Sequence, residues 1–295
     1  MALAGAARVD LHMHSTGSDG ENTPEELADR CAAAGLSTVA LTDHNTTAHV
    51  TRMQAACARH GIEVVAACEI STSWNGREHH CLAYFVPLDD PIFTARIERV
   101  RAEDLARSHR WVDNAAAAGA AITWDQVETR LGADRVPPFS LLSRLLLEAG
   151  GEDSPLAAHR AKSGGLYGEW FAPGRPWATE PPWQPSPQEA IAWVREAGGV
   201  AVLAHPGATF GSLDPEAALR ELAGAGLGGV EAWTTWHSDA TARSYAELGA
   251  RLELAVTAGA DYHGPVVKPH VKAPGQVTHN GPDVLERLEA ARAQR

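Results

Sequence analysis

The chain has 295 residues, 44% of them apolar, and a formal net charge of −12, enough for one large domain or for a core domain carrying an insertion. The acidic balance disfavours capture of duplex DNA, which needs a surface of Lys and Arg to release counterions, whereas a small substrate beside metal ions stays compatible because the metals bring positive charge. No apolar run approaches the roughly 20 residues of a membrane helix, and the opening MALAGAARVDLH is too short and too quickly charged for a secretory h-region, so a cytoplasmic setting with no membrane partner is expected.

In chain order, short apolar runs alternate with helical stretches. The runs are Arg8 to His12, Ser37 to His44, Glu63 to Ser71 and His80 to Val86, then, after a long interruption, Val200 to His205, Gly229 to Trp236 and Leu254 to Asp261. This alternation predicts βα units and a mainly parallel sheet, and seven such strands suggest a barrel or a strongly curved sheet. Thr23-Pro24-Glu25-Glu26 offers an N-cap, a proline at the first helical position and a capping-box glutamate, with Gly35 as the stop. Pro187 to Gly198 and Pro215 to Gly224 read the same way. Cys31, Cys57, Cys68 and Cys81 form no CxxC pair and read as buried free thiols.

Between Ile92 and Pro187 the pattern changes to Ala- and Leu-rich helical stretches and then to the segment GRPWATEPPWQPSP. A structureless loop of that length is improbable in a compact domain, so 92–187 is expected to form a mostly helical cap over the barrel mouth. The core is then 8–91 with 188–264, and 265–295 is an irregular tail with a final helix near Pro282 to Ala293. Trp170, Phe171, Trp177 and Trp183 fall in the insertion, either as packing between insertion and barrel or as a flat apolar lid for a ring.

The 14 histidines are not scattered evenly. Every apolar run but one carries a His, Asp or Glu at or near an end, and barrel active sites are built at the C-terminal strand ends. His12 ends the first run, and His14, two residues on, projects to the same side in extended geometry. Asp19 follows in the glycine-flanked turn Ser18-Asp19-Gly20; His44 ends the second run, Glu69 lies near the end of the third, His80 opens the fourth, His205 ends the fifth, and Asp261 with His263 ends the seventh. A lone histidine at a strand end is commonly structural. Burying all nine ionisable groups together without metal would incur severe desolvation and like-charge costs, so the set points to divalent metal ions.

These residues carry a family resemblance. Asp10-Leu11-His12-Met13-His14-Ser15 with Ser18-Asp19-Gly20, Leu41-Thr42-Asp43-His44, Glu69, Glu78-His79-His80, Gly198-Gly199-Val200 through Ala204-His205-Pro206-Gly207, and Ala260-Asp261-Tyr262-His263-Gly264 resemble the polymerase and histidinol phosphatase (PHP) superfamily. Within it, the SDG turn and the insertion look most like stand-alone bacterial phosphoesterases acting on nucleotides and short RNA ends. The resemblance implies a distorted (β/α)7 TIM-like barrel and two or three divalent ions, Mn, Fe or Zn. It further implies that His12, His14, Glu69 and Asp261 hold the first ion, Glu69, His80 and His205 the second, and Asp19, His44 and His263 the third. His80 rather than His79 is the ligand on this alignment, with His79 on the opposite face, and His237 falls where relatives often place a histidine near substrate.

The implied reaction is hydrolysis of a small phosphorylated substrate, a nucleotide, a nucleoside 3′,5′-bisphosphate or a short single-stranded RNA 5′ end, by metal-activated hydroxide. Asp261 and His263 could orient the attacking water or pass a proton. One departure matters: stand-alone relatives usually carry an Arg-Pro-His phosphate grip where this chain has Phe139-Ser140-Leu141. Arg135 or Arg144 could substitute for it, and the departure keeps open an alternative in which the same metals cleave an amide, lactone or non-phosphate ester.

Overall fold

The computed structural model describes residues 8–132, 135–137, 139–149, 167–172, 174–279, 281 and 283–293. The elements begin β1 (Val9–Asp10), α1 (Pro24–Ala33), β2 (Thr38–Leu41), α2 (Val50–Ala58), β3 (Glu63–Trp74) and β4 (Arg77–Tyr84). Next come α3 (Pro91–Ala117), α4 (Trp124–Leu131), α5 (Phe139–Ala149) and a π-helical turn over Tyr167–Phe171. The chain ends with α6 (Pro187–Glu196), β5 (Val200–Leu203), α7 (Pro206–Thr209), α8 (Pro215–Gly224), β6 (Gly229–Thr234), α9 (Asp239–Arg251), β7 (Ala255–Gly259) and α10 (Val284–Ala293). The predicted capping box is present at α1, where the Thr23 side chain accepts from the Glu26 N–H and Glu26 accepts from the Thr23 N–H. Ser186 and Glu189 repeat it at α6. All four cysteines are buried and free, and no described helix is long and apolar enough to cross a membrane.

The seven strands form one sheet in chain order. Its two ends meet: the Leu11 N–H donates to Ala258 O at 3.2 Å, Asp261 N–H to His12 O at 2.8 Å and His14 N–H to Tyr262 O at 2.9 Å. The sheet is therefore a nearly closed barrel, filled by Leu11, Ala40, Ala67, Leu82, Tyr84 and Val202. The Tyr84 hydroxyl inside it donates to the Leu11 carbonyl at 2.8 Å.

One expectation needs correction: β4 runs antiparallel to both β3 and β5, so the fourth run is the return arm of a hairpin and not a βα unit. Asn75 and Gly76, at φ 51° and 71°, form the two-residue turn between β3 and β4. Both central residues then lie in the left-handed region that hairpin turns require, and so short a connection leaves no room for a crossover helix.

The chain divides into two compact units, one running to Val100 and resuming at Gln184, the other Arg101–Trp183. These edges differ from 92 and 187 because Phe93 and Ile97, on the first turns of α3, are buried in the same core as β-strand residues such as Ile70 and Ala83. The second unit is helical where described and has its own core around Trp111, Leu142, Leu146, Phe171 and Trp177. Phe171 and Trp177 are buried there as packing, and Trp170 lies against Trp177 with ring centroids 4.6 Å apart. Residues 150–166 of the expected insertion lie outside the described residues, as do the side chains of Ser140 and Leu141.

Candidate metal centre

Each histidine and carboxylate of the predicted set reaches the C-terminal mouth of the barrel from a strand end or from the β3–β4 hairpin. Glu69 sits at the middle, 1% exposed. Its Oε2 faces His12 Nε2 at 3.1 Å, His14 Nε2 at 3.2 Å and His44 Nδ1 at 3.4 Å. Its Oε1 faces His80 Nδ1 at 3.1 Å and His205 Nε2 at 3.2 Å. One carboxylate thus divides five imidazoles into two sets, the arrangement of a bridging ligand. Asp261 directs Oδ1 to His12, His14 and His263 at 3.3–3.4 Å. Asp19, in the SDG turn, lies 3.2 Å from His263 Nε2, 3.6 Å from His14 Nδ1 and 3.9 Å from His44 Nε2.

Among the described residues, three groups offer ligand atoms close enough for one ion each: His12, His14, Glu69 and Asp261; His14, Asp19, His44 and His263; and His44, Glu69 and His80. His205 stands beside the last of these through Glu69.

Strand register puts the neighbouring histidines of β4 on opposite faces. Glu69 pairs with Leu82 and Ser71 with His80, so His80 and Leu82, two residues apart, share the face of Glu69. His79 points the other way, fully buried between Trp74 and Phe210 with ring centroids 5.8 and 5.9 Å away. Burial pushes its imidazole down to about 4, as expected of a neutral core histidine.

The electrostatics record the same crowding. Burial works against charge at Glu69, yet His12, His80 and His44 hold its carboxyl well below the usual range. Burial likewise opposes protonation of His14 and His80, but the neighbouring carboxylates of Asp261 and Glu69 lift His14 to about 9, and Glu69 with Glu78 lifts His80 to about 10. His44, for which desolvation prevails, is pushed down to about 3. Buried His14 Nε2, His44 Nδ1, His80 Nδ1 and Asp261 Oδ1 make no hydrogen bond within the protein, although buried polar atoms normally do. These orphaned N and O donors converge on one place, contain no thiolate, and fit divalent Mn, Fe or Zn.

A second layer, largely missed by sequence reasoning, orients the first. Glu231 on β6 accepts from His12 Nδ1 at 2.9 Å and from the His205 backbone N–H at 3.0 Å, which turns His12 Nε2 toward Glu69. Asp43 accepts from the Ser15 N–H at 2.7 Å and the Ser18 hydroxyl at 2.8 Å, fixing the turn that carries Asp19. Asp10 accepts from the backbone N–H groups of His12, Ala260 and Gly275; burial still pushes its carboxyl up, to about 6. Asp261 Oδ2 accepts from the Trp236 indole and from Lys268. Backbone strain gathers here too: His205 and Asp261 have φ of 28° and 53°, sparsely populated values that cluster at functional sites.

His237 has both ring nitrogens on backbone, Nδ1 donating to Ala232 O at 2.8 Å and Nε2 accepting from the Gly207 N–H at 2.9 Å. Arg135 and Arg144 belong to the second unit; Arg135 donates to Leu131 O at 3.3 Å and Arg144 is exposed on α5.

Gly259 makes this packing possible. A Cβ there would stand 2.2 Å from His12 Cβ, 2.8 Å from the His12 backbone nitrogen and 2.9 Å from Glu231 Oε1, and the His12 backbone cannot swing aside as a flexible side chain would. Gly259→Ala is expected to lower stability by about 1–3 kcal/mol. Urea unfolding at unchanged m reads this, and a midpoint equal to wild type would refute the close approach.

Residues 10–117 match the PHP domain family. A 3′,5′-nucleoside bisphosphate phosphatase of Chromobacterium violaceum is 30% identical over 260 residues, 88% of each chain. A phosphoribosyl 1,2-cyclic phosphate 1,2-diphosphodiesterase of Eggerthella lenta is 34% identical over 269 residues, 89% of this chain and 97% of the other. A solved Bifidobacterium adolescentis structure, assigned as a metal-dependent phosphoesterase, superposes with a TM-score of 0.81 at 27% identity, covering 97% of this chain and 96% of that one.

Proposed function

This chain belongs to the PHP-domain family and is a metal-dependent phosphoesterase, and from that membership we propose that its substrate is a small nucleotide, a nucleoside monophosphate or 3′,5′-bisphosphate first, with a short RNA 5′ end as a longer variant. The observation that carries the reading is Glu69, one buried carboxylate dividing five histidines. In this proposal two or three ions of Mn, Fe or Zn bind: His12, His14, Glu69 and Asp261 take one, Glu69, His80 and His205 another, and Asp19, His44 and His263 a third. Bound divalent ions supply Lewis acidity for the phosphoryl oxygens and acidify water.

The protein's own contribution is placement. Glu231 fixes the His12 tautomer, and Trp236 and Lys268 occupy Asp261 Oδ2 so that Oδ1 alone faces the cluster. His263 donates from Nδ1 to the Asp261 carbonyl at 3.0 Å, leaving Nε2 beside Asp19 to hold a proton or a ligand. Asp261 and His263 are thereby the residues proposed to orient the attacking water or relay a proton to the leaving oxygen.

The test is phosphate release by metal-replete protein from nucleoside monophosphates, 3′,5′-bisphosphates, sugar phosphates and 5′-phosphorylated short RNA, beside lactones and amides. Turnover of phosphate esters is expected. Hydrolysis confined to lactones or amides would overturn the proposal and assign the missing Arg-Pro-His grip to a change of bond.

Metal loading is also expected to release protons. His14 and His80, lifted to about 9 and about 10, are protonated in the metal-free protein at pH 7, and a ligating imidazole must be neutral. At least two protons, one from each, should leave on loading, and apparent affinity should climb as pH rises toward 9. Calorimetry in two buffers of different ionisation enthalpy measures the count; identical heats would contradict it.

A further inference from the structure

Trp236 is a large aromatic left exposed beside the cluster, 45% accessible although it lies two residues past the end of β6. It is not loose: its indole N–H donates to Asp261 Oδ2, and its ring centroid lies 5.9 Å from that of His205. The Lys268 ammonium sits 4.9 Å from the ring centroid and pairs with the same Asp261 oxygen, while His270 meets the ring edge-on at 6.0 Å. An ammonium has three donors; Asp261 takes one, leaving two directed elsewhere. The tail carrying Lys268 is tied down at both ends, Val266 and Val267 donating to Glu21, and Gly275 donating to Asp10 at 2.6 Å.

A rigid, half-exposed ring is an effective stacking surface, because little side-chain entropy is lost when a flat ligand lands on it. Base–aromatic stacking contributes about 1–3 kcal/mol per base, which is about five- to 150-fold in affinity. A fixed cation within a few ångströms of a metal-site carboxylate is, in turn, where a phosphate oxygen gains a charge-assisted hydrogen bond. The chain lacks the family's Arg-Pro-His element, and Lys268 supplies positive charge from a different part of the sequence.

The geometry points to a nucleotide subsite on the rim of the metal centre, in which the Trp236 indole stacks on the nucleobase and Lys268 receives the phosphate. This rests on the nucleotide reading above but makes its own claim, that base and phosphate are recognised by these two residues.

Equilibrium binding to metal-free protein, where no turnover intervenes, tests it with adenosine 5′-monophosphate and ribose 5-phosphate as probes. Wild type is expected to prefer the nucleotide by about five- to 150-fold. Trp236→Leu should abolish that preference, bringing the two probes to equal affinity, whereas Trp236→Phe, which keeps a ring but loses the N–H, should retain most of it. Lys268→Met should weaken both probes by the same factor, with Lys268→Arg restoring them. Equal affinity of the two probes for wild type, or a preference that survives Trp236→Leu, would overturn the subsite. Should the base preference follow Trp236 while no phosphate ester is hydrolysed by loaded enzyme, the subsite stands and the proposed reaction falls.

Discussion

Glu69→Gln is expected to lower kcat/KM for phosphate release by roughly a hundred- to several-thousandfold, the equivalent of the about 3–5 kcal/mol lost when one partner is removed from a buried ionic cluster. The size follows from the position. Both oxygens of Glu69 are committed, Oε2 to His12, His14 and His44 and Oε1 to His80 and His205, so an amide of the same shape offers one oxygen where two are needed and sets an NH₂ against imidazoles. The substitution should also remove the charge that keeps His14 and His80 protonated, and the proton count on metal loading should fall with it. Metal content after dialysis and steady-state phosphate release measure the effect. A Glu69→Gln protein that keeps its full metal complement and rate would show that the five imidazoles do not depend on this carboxylate.

Glu231→Gln is expected to cost ten- to a hundredfold in metal affinity, the usual range for a residue that orients a ligand from behind. Glu231 Oε1 fixes the proton of His12 on Nδ1, and Oε2 holds the backbone of His205, so one side chain aligns ligands from two strands. An amide can still accept from His205, but it can turn its NH₂ toward His12 and favour the wrong tautomer. Competition with a chelator of known affinity reads the loss, and the cooperative unfolding transition should stay in place. Unchanged affinity would mean that His12 is oriented by the barrel backbone alone.

The site was more legible in the sequence than the path of the chain between its parts. His12, His14, Asp19, His44, His205, Asp261 and His263 follow strand ends, which barrel geometry gathers at one mouth, and Glu69 and His80 join them from within the β3–β4 hairpin. The antiparallel β4 was also written in the chain, as Asn75-Gly76 between two β-rich runs; the expectation of repeating βα units concealed it. Glu231 could have been suspected as a carboxylate inside an apolar strand, GVEAW, since such a group needs a buried partner. Lys268 carried no comparable signal. It lies in a tail without periodicity, and its place beside Asp261 is set by backbone contacts to Glu21 and Asp10, residues more than 240 positions away. The departure at Phe139-Ser140-Leu141 is legible only against the family resemblance, and Lys268 emerges as a candidate cation only in three dimensions.

The most direct test of a metal-dependent phosphoesterase is inorganic phosphate release from a nucleoside 3′,5′-bisphosphate by protein stripped with chelator and then reloaded separately with Mn, Fe(II) and Zn. Release should vanish on stripping, return with at least one of these ions, and stay at least about a hundredfold below wild type in Glu69→Gln whichever ion is added. Release that persists in the stripped protein, or that returns equally in Glu69→Gln, would contradict an active site built on that carboxylate and its five histidines.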